Sequence, residues 1–374
     1  MADQPSSPPP QRSGVSSSLV VRRLQVDGIR NLQNVDIEPG PGVNLFIGPN
    51  GAGKTSLLES LYCLSRGRSF LGSGRHEYLN QKTPEAQIVG YLELDGADKV
   101  VGLRRTRNTW EARAGGVGLK SLSELALQFP FCVFFPGLHR LVEDGPEARR
   151  QFLDYGVFHV EHSFLGHWQR YRATLRQRNA ALRQNLSVDQ ISVWDDALTQ
   201  HGVALTEQRE THLAALAHAF APTIERLDDS LVDIRLQLAT GWPANETFGD
   251  ALAGSIALDR DQGFTSRGPH RADLRILRDG TRASGRLSRG QQKLVAVALL
   301  LAQMQTLSAS GGVPVMGFDD LPSELDSERQ ERTLELLVAG GGQVWITGNA
   351  APPVPAGASE AQLFHVEHGH VSNR

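Results

Sequence analysis

Residues 48–55 constrain the fold of this chain more than any other feature, because their sequence GPNGAGKT fits the phosphate-binding pattern G-x-x-x-x-G-K-[ST]. The apolar run 43–47 before them is typical of a buried strand, and leucines at helical spacing follow them as far as Gly67. A loop between a strand and a helix turns its backbone N–H groups toward phosphate oxygens. We therefore predict an ATP site formed by Gly48, Pro49, Asn50, Gly51, Ala52, Gly53, Lys54 and Thr55.

A second motif, Leu-Ser-Arg-Gly-Gln at 287–291, begins a long apolar segment at helical spacing. Taken alone, it predicts no more than a capped core helix. The motif nevertheless resembles the ABC-type signature, with Arg289 where transporters usually carry glycine. In that superfamily the signature of one protomer contacts the γ-phosphate held by the other, and a helix N-terminus is a natural anion site. We therefore expect an ATP-dependent homodimer in which each copy presents to its partner's ATP Ser288, Arg289, Gly290 and Gln291.

A third motif is an apolar run that starts at Val313 and ends in two carboxylates, Asp319 and Asp320. Asp319 follows the predicted strand and is placed to hold Mg²⁺ together with the Thr55 hydroxyl. Asp320 occupies the position of the catalytic Glu of many ABC-type ATPases, and its shorter side chain predicts slow hydrolysis. We therefore predict Mg²⁺ ligation by Thr55 and Asp319, and catalysis by Asp320, Asp319 and Lys54.

The residues around this third motif carry two further indications. Ser323 and Asp326 resemble the loop that crosses the dimer interface in the ABC-type superfamily. ABC-type enzymes often place a γ-phosphate-sensing His after the last core strand, which we assign here to residues 343–347. This chain has no His there, and the sequence does not decide between Thr347 and Asn349 as its replacement.

Length and composition limit the remaining classes of protein. With 374 residues and a net charge of −3, the chain can form two lobes, and any surface for nucleic acid must be local. Residues 1–18 are rich in Pro and Ser without the apolar core of a secretory signal, which predicts a disordered tail. The apolar run 294–302 is too short to span a bilayer. We expect a cytoplasmic protein without membrane partners.

The order of predicted elements indicates an α/β fold: a P-loop ABC-type ATPase head that is interrupted by a largely helical second lobe. The ATPase lobe is assigned to residues 19–145 and 263–374, where short apolar and alternating runs predict strands. The inserted lobe is assigned to residues 146–262, where the pattern is helical and long.

The inserted lobe is rich in arginine at its start. Residues 149–183 contain seven arginines and two acidic residues, with aromatic residues between them. A solvated helix face over an aromatic core is one interpretation, and a contact surface for the phosphate backbone is the other. Since the chain also carries an ATP site and lacks a membrane segment, we favour sequence-independent contact with DNA. The predicted DNA contacts are Arg149, Arg150, Arg170, Arg172, Arg176 and Arg178.

From about residue 20 onward the chain resembles the RecF proteins of bacterial recombinational repair. The resemblance is carried by the P-loop, by the signature and by the two carboxylates with the loop that follows them. More specific are three further stretches, which lie at 145–154, 177–182 and 268–274. The sequence departs from the family at Gly137, where an acidic residue is common, and at Asp144, where glycine is usual.

The resemblance implies more than the residues alone do. RecF-like proteins bind ATP, dimerise on it and associate with single- and double-stranded DNA at gap junctions. They act with RecR, and in a pathway with RecO, to help load the recombinase, and so support DNA repair, replication restart and the SOS response. The residues alone lead only to an ATP-dependent dimer that contacts nucleic acid.

Three other classes remain as alternatives. A transporter subunit would need a docking groove for membrane partners, and a scaffold would hold ATP while partner binding is its main role. A chromosome-organising head of the SMC type would carry long coiled-coil arms. Here residues 56–318 alone separate the P-loop from Asp319, and they contain no sustained heptads.

Overall fold

Two six-stranded sheets and a set of long helices form the part of the chain that this computed structural model describes: residues 18–71, 78–80, 83–355 and 361–373. The predicted tail, residues 1–18, lies outside the described residues except for Ser18. In chain order the strands are β1 (Leu19–Asp27), β2 (Val35–Ile37), β3 (Val43–Ile47), β4 (Glu85–Leu94), β5 (Ala97–Thr106), β6 (Trp110–Ala114), β7 (Val117–Gly118), β8 (Phe131–Phe134), β9 (Ile234–Ala239), β10 (Asp273–Arg278), β11 (Thr281–Arg282), β12 (Val315–Phe318), β13 (Val344–Gly348), β14 (Gln362–Glu367) and β15 (His370–Asn373).

The helices alternate with these strands in the head and dominate the middle of the chain. They are α1 (Lys54–Arg66), α2 (Leu122–Gln128), α3 (Arg140–Glu143), α4 (Pro146–Val160), α5 (Phe164–Arg183), α6 (Val188–Ser192), α7 (Asp195–Leu227), α8 (Phe248–Gly254), α9 (Ile256–Gln262), α10 (Arg289–Ala309), α11 (Leu321–Glu324) and α12 (Ser327–Ala339). None of the described helices is both long and apolar enough to cross a membrane.

The sheet that carries the P-loop has the strand order β15-β14-β3-β13-β12-β8. Its strands are parallel except for β15, which runs antiparallel to β14. The carboxyl ends of β3, β12 and β13 therefore lie at the same edge, where open α/β sheets bind their ligands. The prediction that residues 343–347 form the last core strand is wrong, because β14 adds beyond β3 and buries Phe364 against Phe46.

Helix α1 packs its apolar face into the space between this sheet and the second sheet. Leu57, Leu58, Leu61 and Leu64 are fully buried, and each contributes roughly 1.5–3 kcal/mol by leaving water. The helix ends where the sequence predicted, because Gly67 adopts the left-handed conformation with φ 65° and its N–H caps Cys63 O. This packing holds the first turn of α1 rigidly behind the P-loop.

The second sheet is antiparallel, with the order β2-β1-β4-β5-β6-β7, and covers α1 from the other side. Both cysteines lie in the interior as free thiols, Cys63 on α1 and Cys132 on β8. Burial raises the pKa of the Cys132 thiol to about 11, so this group stays neutral and packs as a small apolar side chain.

The inserted segment does not form an independent unit. Helix α7 packs along α10 of the head, and the two helices share one apolar core with the P-loop sheet. Strand β9, from the inserted segment, pairs residue by residue with β10. The lobe boundary predicted between residues 262 and 263 therefore falls between two strands of one small sheet, β11-β10-β9.

Candidate functional site

The ends of three parallel strands bring the first and third motifs together. The P-loop follows β3, Asp319 follows β12, and Asn349 follows β13. Residues distant in sequence therefore become neighbours: Lys54 and Asn349, which are 295 positions apart, form a hydrogen bond. They border a cleft of about 170 Å³ lined by Asn31, Asn50, Gly51, Gly53, Lys54, Thr55, Ser56, Asp319 and Asp320.

Lys54 folds back over its own loop. Its Nζ donates to the carbonyl oxygens of Gly48 at 2.7 Å and Pro49 at 2.9 Å, and to Oδ1 of Asn349 at 3.0 Å. Burial lowers the pKa of Lys54, and the carboxylates of Asp320 and Asp319 oppose that shift. The ammonium group is thus held at the cleft by neutral acceptors that an anionic phosphate can replace.

Asp319 is fixed by two threonine hydroxyls. Thr55 Oγ1 lies 2.9 Å and 3.0 Å from the two carboxylate oxygens, and Thr347 Oγ1 donates to Oδ1 at 2.8 Å. Burial raises the pKa of Asp319, while the hydrogen bonds from Thr347 and Thr55 act in the opposite direction. A hydroxyl beside a buried carboxylate, next to a phosphate-binding loop, is the oxygen donor set that Mg²⁺ prefers.

Asp320 has an unusual backbone and an unpaired oxygen. Its φ of 53° and ψ of 42° place it in the left-handed region, and its N–H donates to Thr347 Oγ1 at 2.9 Å. Its Oδ1 is buried and has no hydrogen-bond partner among the described residues. A buried carboxylate oxygen without a partner is costly unless a ligand or water completes it, so this oxygen is available to a molecule in the cleft.

The loop itself leaves room for phosphate groups. Gly51 (φ 77°) and Gly53 (φ 116°) adopt conformations that favour glycine, and a Cβ on Gly51 would meet no atom within 4 Å. Helix α1 begins without a side-chain cap, so its first N–H groups remain for a ligand. The glycine cradle, the free helix N-terminus and the Thr55–Asp319 pair together fit a nucleoside triphosphate with a divalent cation.

Asn31 belongs to this site, although the sequence analysis did not select it. Its Nδ2 donates to Gly51 O at 3.1 Å, and its Oδ1 accepts from Ser56 Oγ at 3.2 Å. The one local signal in the sequence was the polar pair Arg30-Asn31 in the connection between the first two strands. This signal is weak because nothing in it points to the P-loop.

Thr347 and Asn349, the two candidates to replace the γ-phosphate-sensing His, make different contacts. Thr347 is buried and contacts Asp319 and the Asp320 backbone, whereas Asn349 is exposed and contacts Lys54. The two residues therefore act on different groups of the site, Thr347 on the carboxylates and Asn349 on the ammonium group.

The signature residues lie at the start of α10 and do not line the P-loop cleft of their own chain. Ser288 and Gln291 form a capping box, in which the Ser288 hydroxyl accepts from Gln291 N and the Gln291 side chain accepts from Ser288 N. Ser288, Arg289 and Gly290 are exposed. This helix start is therefore open toward solvent.

Ser323 and Asp326 are exposed on the segment that follows the two carboxylates. Asp326 caps α12 by accepting from Arg329 N at 3.0 Å, and it also forms an ion pair with the Arg329 side chain at 2.6 Å. A structural role as a helix cap therefore accounts for Asp326 within one chain.

Two of the predicted DNA contacts need correction. Arg149 is buried and pairs with Asp273, and Arg178 is fully buried between Asp195 and Asp259. Their charges are neutralised inside the protein, so neither can meet a phosphate backbone. The charge count of the sequence was right, but it did not show which arginines have acidic partners distant in sequence.

The other four arginines remain accessible to different degrees. Arg150 is half-buried and donates to Ala272 O at 2.8 Å, and burial lowers its pKa. Arg170, Arg172 and Arg176 are exposed on α5, where the Arg172 guanidinium lies 4.5 Å from the centre of the Trp168 ring. These three keep an open charge on the surface of the inserted segment.

The fold and the site define the class of this protein as a P-loop ATPase head of the ABC type with an inserted helical segment. Residues 20–371 match the family described as "RecF/RecN/SMC N terminal domain". The chain is 40% identical over 361 residues to the "DNA replication and repair protein RecF" of Thioalkalivibrio sulfidiphilus, a match that covers 94% of this chain and 98% of the relative. It is 39% identical over 362 residues to the RecF of Xanthomonas axonopodis pv. citri, covering 95% and 98% of the two chains. The chain belongs to the RecF family.

Solved structures agree with this assignment and confirm the predicted fold class. The "recombination mediator protein RecF-ATP in RecFOR pathway" superposes with a TM-score of 0.86 at 26% identity, over 97% of this chain and 100% of that one. An Smc head domain from Pyrococcus furiosus superposes with a TM-score of 0.58 at 13% identity, over 95% and 96% of the two chains, and this likeness extends to the fold alone.

Proposed function

We propose that this protein is an ATP-dependent DNA-binding switch of recombinational repair and replication restart. ATP and Mg²⁺ close two copies into a dimer, and the dimer binds single-strand/double-strand junctions at gaps and helps to load the recombinase. The curated relatives are named DNA replication and repair proteins, and a similar structure is titled as an ATP-bound RecF of the RecFOR pathway. RecR, and RecO in the same pathway, are the partners that this relationship suggests.

The observation that carries the proposal is the incompleteness of the P-loop cleft. The cleft holds Lys54, Thr55, Asp319 and the unpaired Oδ1 of Asp320, while the exposed signature at Ser288 lies outside its lining. A second copy that presents its helix start to this cleft adds N–H donors and the charge of Arg289 beside the terminal phosphate. The free energy of these contacts favours the dimer only when ATP is bound.

The roles of the individual side chains follow from their positions. Lys54 and the free N–H groups of α1 bind and orient the outer phosphates, and Thr55 with Asp319 would hold Mg²⁺. Mg²⁺ supplies neutralisation of phosphate charge when it is bound. Asp320 uses its unpaired oxygen to orient water and to accept its proton. The short Asp320 side chain and the missing His make hydrolysis slow, with turnover below about 10 s⁻¹.

The first experiment measures oligomeric state against nucleotide. We expect wild type to sediment as a dimer at tens of micromolar protein with ATP–Mg²⁺ and as a monomer without it. Lys54→Ala removes nucleotide binding, and Ser288→Arg leaves nucleotide binding intact but prevents dimer formation. A wild-type protein that stays monomeric with saturating ATP would contradict the switch.

The second experiment measures DNA binding by fluorescence anisotropy on a gapped duplex, with and without ATP–Mg²⁺, over a salt series. The net charge of −3 means that attraction to DNA comes from local arginines, so binding should weaken steeply with salt. We expect tight binding only with ATP and none by Ser288→Arg. Nucleotide-dependent dimers without DNA binding would instead favour a scaffold whose main role is to bind partners.

A further inference from the structure

A groove with a volume of about 630 Å³ lies on the small sheet that joins the inserted segment to the head. It is bordered by the outer face of β10 and β11, by the turn after β9 and by the segment after α9. We call it the arginine groove, because its lining includes Arg267, Arg271, Arg275 and Arg282. It shares no lining residue with the P-loop cleft.

The charge of the arginine groove is largely unneutralised. Arg267 and Arg275 are exposed, and their side chains make no ion pair or hydrogen bond with any residue that the structure describes. The acidic lining residue is Asp273, which Arg149 already holds at 2.7 Å from inside the protein, while Arg282 lies 3.5 Å away. The groove therefore offers open positive charge to an anionic ligand.

These arginines differ from those that stabilise the fold. The buried Arg149, Arg178 and Arg209 each have a carboxylate at 2.7 Å. Arg275 instead alternates with two core residues of β10 and so points to solvent, and Arg282 lies on the same face of the sheet. Packing does not require a cation at these positions, because both side chains extend into solvent and do not fill the core.

Aromatic rings stand beside the open charges. Phe264 is 37% exposed, and the Arg271 guanidinium lies 5.0 Å from the centre of its ring. Trp242 lines the groove and is supported from within the protein by Phe248, whose ring is stacked at 4.8 Å. Phe264 is thus exposed and Trp242 half-buried beside unpaired arginines. Accessible aromatic rings among arginines are the combination that binds single strands, because unpaired bases stack on the rings while arginines meet the phosphates.

We propose that the arginine groove binds the single-stranded part of a nucleic acid. A duplex keeps its bases stacked inside and offers only phosphates, so it would leave Phe264 and Trp242 without partners. This inference rests on the proposed DNA-binding function and adds where the unpaired strand lies: on the small sheet at the junction, outside the nucleotide cleft.

The exposed arginines of α5 extend the groove in one direction. Arg172, Arg176 and Arg183 are exposed and share one face of α5 by helical spacing. The Arg183 side chain reaches Gly263, where a Cβ would lie 3.4 Å from its Cγ, and Phe264 follows directly. A strand in the groove can therefore continue along α5 over further positive charges.

The test compares two double variants that remove the same charge. Arg267→Ala/Arg275→Ala removes two open arginines of the groove. Arg107→Ala/Arg113→Ala removes two exposed arginines, one in the turn between β5 and β6 and one on β6, whose side chains likewise have no ion-pair or hydrogen-bond partner among the described residues. Each is titrated with fluorescein-labelled oligo(dT) and with a fully paired duplex, with and without ATP–Mg²⁺, over a salt series.

We expect the groove variant to bind oligo(dT) at least about tenfold more weakly than wild type. The salt slope, which is the slope of the logarithm of the binding constant against the logarithm of the salt concentration, should shrink in magnitude by about 1.4, or about 0.7 for each lost phosphate contact. The control variant should bind like wild type. Phe264→Ala should weaken oligo(dT) binding by about tenfold without changing the salt slope, since stacking on a ring does not release counterions. Iododeoxyuridine oligonucleotides should crosslink to Trp242 or Phe264 on irradiation.

The outcomes separate this inference from the proposed function. If wild type dimerises with ATP and binds oligo(dT), but the groove variant binds it equally well, the groove assignment is overturned and the switch stands. Loss of duplex binding alone, with oligo(dT) binding retained, also overturns it. If wild type binds no DNA under any condition, the proposed function fails, and the groove assignment fails with it.

Discussion

Arg149 of α4 and Asp273 of β10 lie 124 positions apart in the sequence and form a buried salt bridge, with Nε and Oδ1 separated by 2.7 Å. The same guanidinium donates to the carbonyl oxygens of Leu141 at 3.1 Å and Asp144 at 2.6 Å. Arg209 of α7 makes a comparable link, because it donates to Pro269 O of the head at 2.8 Å while it pairs with Asp154 of α4 at 2.7 Å. Buried arginines of the inserted segment thus join it to the head.

Removal of Arg149 tests this link. Arg149→Ala leaves Asp273 buried without its main partner, and breaking a buried pair in this way costs roughly 3–5 kcal/mol. The expected result is a loss of that size in the free energy of unfolding, measured by urea denaturation. The control is Arg22→Ala, which breaks the exposed pair with Glu93 and should cost at most about 1 kcal/mol. Equal losses in both variants would contradict the structural role of Arg149.

Thr347 provides a second prediction because it holds Asp319 and the Asp320 backbone at once. Thr347→Val keeps the shape but removes both hydrogen bonds, so Asp319 loses its orientation toward Mg²⁺. We expect a loss of about 10- to 100-fold in ATP hydrolysis or apparent Mg²⁺ affinity. Thr347→Ser retains the hydroxyl and should restore both quantities. If Val and Ser variants behave alike, the hydroxyl does not position the carboxylates.

A substitution at Asp320 should reduce the turnover of ATP without weakening ATP binding. Asp320→Asn keeps the left-handed backbone, which Asn tolerates, but its side chain can no longer accept a proton from water. We expect ATP affinity and ATP-dependent dimer formation to stay near those of wild type, with turnover lower by roughly 10²- to 10⁴-fold. Single-turnover hydrolysis and sedimentation measure the two properties. Undiminished turnover in this variant would assign the base to another group.

The sequence predicted the parts of the site that short segments define. The strand before residue 48, the helix after Lys54 and its end at Gly67 depend on local spacing and on glycine conformations, and the structure has them there. Asp319 and Thr55 could be placed together because a P-loop threonine and a carboxylate after an apolar strand are the pair that holds Mg²⁺ in such ATP sites.

The sequence could not predict which polar groups meet across long separations. Arg178 pairs with two carboxylates, Asp195 and Asp259, which lie on two different helices. A count of charges along the sequence does not distinguish such a buried arginine from an exposed one. Asn31 was missed for the same reason, since its contact with Gly51 depends on how the first loop folds over the P-loop. Tertiary packing decides these cases.

His270 makes stability depend on pH. Its Nε2–H donates to Thr265 O at 3.0 Å, because a carbonyl oxygen only accepts, and its Nδ1 lies 2.7 Å from the Tyr171 hydroxyl, which can donate to it when the ring is neutral. Burial, with the charges of Arg271 and Arg150, lowers the pKa of His270 to about 4, against a weaker opposing effect of Thr265 and Asp259. Protonation therefore costs more in the folded chain than in the unfolded chain.

The sign of the pH effect follows from these values. The contribution of neutral His270 is complete above the unfolded pKa of about 6.5, and it is lost as pH falls toward the folded pKa of about 4. Between pH 7 and pH 5, wild type should lose about 2 kcal/mol more of its free energy of unfolding than His270→Gln does. Urea denaturation at the two pH values measures the difference, and parallel losses would exclude His270 as the source.

Two helical glycines with opposite surroundings give a matched test of packing. A Cβ on Gly156 of α4 would lie 2.1 Å from His212 Nε2 and 2.2 Å from Gln303 Nε2, where α4 meets α7 and α10. A Cβ on Gly166 of α5 would meet no atom within 4 Å. Both neighbours of Gly156 are buried, so a methyl group there would force the end of one or both side chains to shift within the packed interior.

Gly156→Ala should therefore lower the free energy of unfolding by about 1–3 kcal/mol through overpacking. Gly166→Ala should raise it by about 0.5–1 kcal/mol, because alanine loses less backbone entropy than glycine when a helix forms. Urea denaturation, monitored by circular dichroism, measures the free energy of unfolding of both variants. Opposite signs in the two variants would establish that α4, α7 and α10 meet at Gly156 with no room for a methyl group, and equal signs would contradict this packing.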